Sequence, residues 1–507
     1  MSNIEIKNLT FGYANQGTLL FDHANLNIDE TWKLGLIGRN GRGKTTLLKL
    51  LQNQLDYHGE ITHRLSFNYF PQHISDDQQL AIYALQEVAD VEQWQIEREL
   101  NLLGVDPDIL WRSFASLSGG EQTKVLLALL FVDDTHFPLI DEPTNHLDIN
   151  GRQQVASYLQ KKRQGFIVVS HDRHFIDQIS DHVMSIEKQT ILLYQGNFST
   201  YENEKQLSDN FEREQNEKLK KDIHRLKQSA SEKLKWSLSR EGDKYGDPHK
   251  KGSGAIGDTG AIGARAARVM KRSKSLEHRM TNDIESKEQL LKNIEYIDPL
   301  SMNFQPTHRQ TLFTVKDLQL SYDQHPLFNP VTFELKQKQR LALMGPNGAG
   351  KSSIIQFILA QFAGDITGLI DHPQNLAISY VRQNYEDNRG TIDEFTAAHH
   401  LDREEFLNNL HKLGMERSVF NNKIETMSMG QRKKIELAKS LSQPAELYIW
   451  DEPLNYLDIF NQEQLEKLIL SVTPTMLIVE HDQSFIEKVA TQTVTLRKPV
   501  DETHIQV

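Results

Sequence analysis

The chain repeats itself, and the repeat constrains its fold more than any other feature. GRNGRGKTT, from Gly38 to Thr46, is answered by GPNGAGKSS, from Gly345 to Ser353. DEPTNHLDI from Asp141 is answered by DEPLNYLDI from Asp451, and VVSHD from Val168 by IVEHD from Ile478. The offsets are 307, 310 and 310 residues. Motifs recurring in one order at nearly constant spacing require two homologous modules, each of about 200 residues, flanking a spacer of about 100. A chain of 507 residues, at roughly 100–200 residues per domain, is therefore expected to form three units: residues 1–204, 205–305 and 306–507.

Within each module short apolar runs such as KLGLIG, HFPLID and GFIVVS alternate with helical stretches such as TTLLKLLQNQL and GGEQTKVLLALLFV. That alternation predicts an α/β fold. The spacer reads differently. Charged helical pattern leads to Trp236, glycines and Pro248 interrupt it, and helical pattern resumes from about Ala264 to Tyr296. Two arms of roughly 50 Å, at 1.5 Å rise per residue, joined at the far end make a protruding helical hairpin. Its tip falls at residues 241–263.

Each module carries GxxxxGK[ST] after a strand and before a helix. Glycines there let backbone N–H groups wrap phosphate at the positive end of a helix dipole. The candidate nucleotide-binding residues are Gly38, Asn40, Gly41, Gly43, Lys44, Thr45 and Thr46, and in the repeat Gly345, Asn347, Gly348, Gly350, Lys351, Ser352 and Ser353. Lys44 and Lys351 are expected at the β and γ phosphates of ATP, and Thr45 and Ser352 at Mg²⁺. An apolar strand ending in Asp-Glu follows in register in both modules. It sets Asp141 and Asp451 at the metal, and Glu142 and Glu452 one residue beyond, placed to polarise a water for attack on the γ-phosphate. ATP hydrolysis is the expected reaction.

Composition limits the setting. There is no cysteine, so disulfides, thiolate metal sites and a cysteine nucleophile are excluded, in keeping with a reducing compartment such as the cytoplasm. The longest apolar run, VLLALLFV at Val125 to Val132, falls short of the roughly 18 residues a membrane span needs. Net charge is −12, yet the average hides a polarity. From Lys218 to Arg279 there are 17 Lys and Arg against 7 Asp and Glu, while the rest of the chain holds 40 against 62. A positive excess sustained over sixty residues is the footprint of a polyanionic partner, here nucleic acid.

LSGGEQ, Leu117 to Gln122, resembles the signature of the ATP-binding cassette (ABC) superfamily. The resemblance implies that Ser118, Gly119 and Gly120 of one module meet the γ-phosphate bound by the other, and likewise Ser428 and Gly430 in MSMGQ. A monomer would thus close its own two modules over two ATP molecules. It also implies that Gln72 and Gln383 couple metal to the helical subdomain, that His171 and His481 sense the γ-phosphate, that Asp148 and Asp458 cross the seam, and that Tyr13 and Tyr322 stack on adenine. Met429 stands where the family usually has glycine, which predicts unequal sites.

End to end, the chain resembles the F subfamily (ABC-F), specifically its antibiotic-resistance proteins of the Lsa type. The likeness is carried by FPLIDEPTNHLD, GDKYG, GSGAIGDTGAIGARAARVMKRSK, MSMGQRKK and LYIWDEPLNYLD. Gln72 to Ser118 and Gln383 to Ser428 are intervals of 46 and 45, so the first cassette lacks the extra arm that housekeeping ABC-F factors often carry. The resemblance implies a cytoplasmic, ribosome-associated protein without a membrane domain. It would bind the exit site of the 70S ribosome and dislodge lincosamides, pleuromutilins and streptogramin A compounds with its hairpin, beside 23S rRNA and P-site tRNA. Lys244, Lys250, Lys251, Arg265, Arg268, Lys271, Arg272, Lys274 and Arg279 would neutralise phosphates, with Ile256 and Ile262 pressing on apolar or base surfaces. A housekeeping translation factor and a transporter ATPase subunit are the alternative classes.

Overall fold

The computed structural model describes residues 3–13, 19–133, 135–145, 147–242, 299–371 and 375–499; side chains of residues 230 and 233–242 are not described. The spacer residues assigned above to ribosome contact, Lys244 through Arg279, lie outside the described residues, as does the returning arm from Ala264.

The first module opens with β1 (Asn3–Phe11) and β2 (Phe21–Asp29), then β3 (Lys33–Gly38), α1 (Lys44–Leu51), β4 (His58–Thr62) and β5 (Ser66–Phe70). A helical stretch follows: α2 (Ala81–Val88), α3 (Gln93–Leu102) and α4 (Gly119–Leu130). The chain then alternates through β6 (His136–Asp141), α5 (Ile149–Lys161), β7 (Phe166–Val169), α6 (Arg173–Ile179), β8 (His182–Glu187) and β9 (Thr190–Gln195). Two sheets result. One is antiparallel, in the order β2-β1-β4, and the other runs β5-β6-β7-β3-β8-β9, parallel except for β9. All four residues of β7 are buried, which explains why GFIVVS reads as a continuous apolar run rather than an alternation. Leu47, Leu48, Leu50 and Leu51 of α1 pack with both sheets in one core, and a second core fills the helical stretch.

Helix α7 (Phe198–Gly242) is 45 residues long. It starts earlier than the charged pattern suggests and runs past Trp236. Its start is set by Asn197, whose Oδ1 accepts from Thr200 N at 3.1 Å and Thr200 Oγ1 at 2.8 Å, a side-chain cap. Phe198 and Tyr201 then bury against Ile176 and Val183. The residues divide into two compact units, one of Met1–Tyr201 with Ile297–Val507 and one of Glu202–Tyr296.

The second module repeats the first: β10 (Thr311–Tyr322), β11 (His325–Pro326), β12 (Val331–Lys336), β13 (Arg340–Met344), α8 (Lys351–Ile358), β14 (Asp365–Asp371), β15 (Ile378–Val381), α9 (Ile392–Ala398), α10 (Arg403–Lys412), α11 (Met429–Ser442), β16 (Leu447–Asp451), α12 (Ile459–Val472), β17 (Met476–Val479), α13 (Gln483–Val489) and β18 (Gln492–Thr495). Its parallel sheet, β15-β16-β17-β13-β18, keeps the strand order of β5-β6-β7-β3-β8. Residues drawn at the end of the spacer by sequence already belong to this module's packing. Leu300 is buried in its helical core, Asn303 N donates to Leu441 O at 2.9 Å, and Phe304 bridges to Ala445. PLSMNFQP has no periodicity, so only these contacts reveal the attachment.

Candidate active sites

In each parallel sheet the strand carrying the phosphate loop, β3 or β13, sits between two parallel neighbours, and the Asp-Glu strand, β6 or β16, lies one strand further on. The carboxyl ends of these strands therefore gather the loop, the acidic pair and the histidine that follows β7 or β17. Ligands bind at this edge of open α/β sheets. Gly43 and Gly350 stand immediately before α1 and α8 with φ of 94° and 84°. An added Cβ at Gly350 would lie 2.8 Å from Phe328 Cδ1, so both conformation and space demand glycine.

Lys44 Nζ donates to Gly38 O at 2.8 Å, and Lys351 Nζ to Gly345 O at 2.8 Å and Pro346 O at 3.1 Å. Each ammonium is curled into its own loop, and burial lowers the pKa of both. Thr45 Oγ1 donates to Asp141 Oδ2 at 2.7 Å, and Ser352 Oγ to Asp451 Oδ2 at 3.1 Å. Burial, then the neighbouring Glu452, raises Asp451 to about 6. Asp451 Oδ1 and Gln72 Oε1 are buried oxygens without a hydrogen-bond partner, whereas Gln383 is exposed.

Glu142 and Glu452 both adopt left-handed backbone, at φ 54° and 48°. Their N–H groups donate to Val169 O and Val479 O, each at 2.8 Å. Non-glycine residues rarely occupy this region and tend to do so at functional sites. Glu142 Oε1 lies 3.2 Å from His171 Nε2, and Glu452 Oε1 lies 3.8 Å from His481 Nε2. Burial pushes Glu142 up to about 8 against the pull of Lys44. Burial and the nearby Lys44 and Lys434 cations hold His171 well below the ordinary imidazole range, and burial with Lys351 brings His481 to about 3. Both rings are neutral at pH 7. Glu452 Oε2 accepts from Asn455 Nδ2 at 2.6 Å, while Glu142 Oε1 has no hydrogen-bond partner.

The modules meet head to tail. Asn40 N donates to Asp458 Oδ2 at 2.8 Å and Asn40 Nδ2 to Tyr456 O at 2.9 Å. At the mirror position Asn347 N reaches Asp148 Oδ2 at 3.4 Å. Gly430 lies against Asn40 and Tyr456, which brings the second signature to the first phosphate loop. Ser118 and Ser428 cap α4 and α11, each in a reciprocal box with the residue three positions on, Glu121 or Gln431. Met429 is exposed. Two composite sites follow: site A, with Lys44, Asp141, Glu142 and His171 on the side of Asp458 and Gly430, and site B, with Lys351, Asp451, Glu452 and His481 on the side of Asp148. Tyr13 and Tyr322 are exposed; the Tyr13 hydroxyl lies 3.1 Å from Thr46 Oγ1, and the Tyr322 ring is tilted on Phe362.

Family comparison agrees with this geometry. The family described as "ABC transporter" matches residues 21–145 and 328–455. The chain carries two ABC ATP-binding domains. This twin-cassette ATPase is similar along nearly its whole length to the "Ribosome protection protein VmlR" of Bacillus subtilis (strain 168), with 28% identity over 96% of this chain and 85% of that protein. It is similar too to the "Erythromycin resistance ATP-binding protein MsrA" of Staphylococcus epidermidis, 29% identical over 93% of this chain and 94% of that protein. Its fold matches archaeal aABCE1 in a crystal structure with the stalk protein aP1, with a TM-score of 0.63 and 19% identity over 96% of this chain and 87% of that one. These relatives support the ABC-F resemblance. Among the described residues no helix is long and apolar enough to cross a membrane.

Several residues of the twin-cassette sites carry no sequence signal of their own. The Tyr69 hydroxyl donates to Asp141 Oδ2 at 3.0 Å. Gln462 Nε2 donates across the seam to His171 O at 3.1 Å, and Arg173 joins Glu466 and Ile459 O, each at 3.0 Å. Arg152, the counterpart of Gln462 at an offset of 310, turns instead to Asp172 at 2.9 Å within its own cassette. Glu480, where the first cassette has Ser170, accepts from Leu454 N and His481 N. Comparing aligned positions of the two repeats is the signal that would have singled out the last two.

Proposed function

We propose that the protein is an ABC-F ribosome-protection ATPase, cytoplasmic and ribosome-associated. Loaded with ATP, it binds the exit site of the 70S ribosome and directs its hairpin, residues 205–305 with a tip at 241–263, past P-site tRNA toward the peptidyl-transferase region of 23S rRNA. Lincosamide, pleuromutilin and streptogramin A antibiotics are displaced, and hydrolysis releases the protein. The observation that carries this reading is the pairing of two complementary half-sites across one seam, in a chain similar from end to end to VmlR and MsrA.

The chemistry follows from the site residues. Lys44 and Lys351 leave their loop carbonyls for the β and γ phosphates, which the loop N–H groups cradle. The side chains fit Mg²⁺: hydroxyls paired with Asp141 and Asp451, and partnerless oxygens on Asp451 and Gln72. Thr45, Asp141 and Gln72 would hold it in site A, and Ser352, Asp451 and Gln383 in site B. When bound, the ion would neutralise charge on the β and γ phosphates. As the carboxylate, the form that the nearby Lys44 charge favours in Glu142, Glu142 or Glu452 takes a proton from water as the water oxygen bonds to the γ phosphorus and the bridging oxygen leaves with ADP. His171 and His481, neutral, remain able to donate to the γ-phosphate. Ser118 and Ser428 meet that phosphate from the opposing cassette, and Asp148 and Asp458 hold the loops that reach across.

Expression in a susceptible bacterium tests the proposal. Inhibitory concentrations of a lincosamide, a pleuromutilin and a streptogramin A should rise, with no change for a drug that binds the small subunit. Unchanged susceptibility to all of them would refute protection, and reduced drug accumulation would point to a transporter instead.

A further inference from the structure

The two cassettes differ inside their signature helices. Glu436 of α11 is fully buried and accepts from Arg382 Nε at 3.0 Å, Lys439 Nζ at 2.5 Å and Asn388 Nδ2 at 2.9 Å. Arg382 also reaches Glu436 Oε1 with its backbone N–H at 3.4 Å, and its Nη1 and Nη2 bond Asp387 at 2.6 Å and Asn388 at 2.7 Å. Arg382 directly precedes Gln383, and α11 is capped by Ser428. One polar network therefore joins the segment expected at the metal of site B to the helix whose first turn faces site A. Among the described residues the first cassette shows no such link. Pro71, without an N–H, precedes Gln72, and Leu126 and Leu129 of α4 occupy the positions of Glu436 and Lys439, buried in the apolar core.

We propose that Arg382 and Glu436 are positioning residues that couple the two ATP sites, and that this coupling runs through the second cassette alone. Gln383, drawn in when site B fills, moves with Arg382; Arg382 shifts α11 through Glu436, and Ser428 is set for site A. Apolar packing in the first cassette lets Gln72 move without carrying α4 with it. Coupling between bound ligands is reciprocal, so the link raises the affinity of each site when the other is occupied. The inference rests on the ATP sites and not on the ribosomal reading.

A fluorescent, non-hydrolysable ATP analogue tests it in the full-length protein. The coupling factor is the product of the two stepwise binding constants divided by the product of the single-site constants, read from Lys351→Ala (site A only) and Lys44→Ala (site B only). Glu436→Gln is expected to lower this factor at least about fivefold, within the usual range of coupling energies, and Leu126→Ala to leave it unchanged. A purely structural role would change single-site affinities and keep the factor, and that outcome overturns the proposal, as does a factor of one in the unaltered protein. If Glu436→Gln fails to fold, Arg382→Met serves instead, because Lys439 still partners the carboxylate; retained coupling there overturns the proposal equally.

Discussion

Arg173→Ala removes a buried ionic contact between the cassettes. Arg173 Nη1 lies 3.0 Å from Glu466 Oε1, and Nη2 donates to Ile459 O at 3.0 Å; both side chains are buried. Breaking a buried pair from one side costs about 3–5 kcal/mol, because the other charge is left stranded. Lys488 lies 3.4 Å from the second oxygen of Glu466 and is partly exposed, so it recovers part of that, and about 2–3 kcal/mol is expected. The contact joins α6 to α12, two residues from His171, so the loss falls on cassette closure over site A. At tenfold per 1.4 kcal/mol, the ATP concentration giving half-maximal hydrolysis should rise about 30- to 150-fold. Steady-state phosphate release against ATP concentration measures this, with Lys488→Ala on the rim shifting it less than about threefold. A shift below threefold for Arg173→Ala would refute the reasoning: closure over site A would then not depend on this buried pair.

Three other outcomes follow. Gly350→Ala forces left-handed backbone on a residue with a Cβ, about 1–2 kcal/mol, and drives that Cβ to within 2.8 Å of the Phe328 ring; analogue binding at site B in the Lys44→Ala background should weaken tenfold or more, and normal binding would contradict the loop geometry. Burial would raise Glu436, but Lys439 and Arg382 outweigh it and hold it at about 2. A carboxyl depressed from its ordinary value of 4.5 lends stability above that pH and loses it as pH falls toward 2, so the urea-unfolding advantage over Glu436→Gln should shrink by about 3 kcal/mol across that window; an advantage independent of pH would contradict the sign. Glu142→Gln with Glu452→Gln should bind ATP yet hydrolyse it at least about 100-fold more slowly, and should co-sediment with ribosomes in ATP. Recovery of that double variant in the supernatant of a ribosome-pelleting assay would break the proposed cycle.

Sequence alone determined the duplication, the α/β class, both phosphate loops, the acidic strand ends and the signatures. Each depends on local chemistry: a glycine that must take positive φ, a serine that caps a helix, an apolar strand that delivers Asp-Glu to its end. Such requirements are met within a few residues, so spacing exposes them. Tertiary structure decided what spacing cannot express. Arg173 and Glu466 are 293 residues apart in the chain, Gln462 holds the carbonyl of His171, and Leu300 packs into a module whose sequence pattern begins later. Glu436 reads as one charge among many on a helix until folding buries it against Arg382. A charge in a sequence carries no statement of its depth, and it is depth, by stripping away water, that turns these side chains from solvated groups into partners that must find one another.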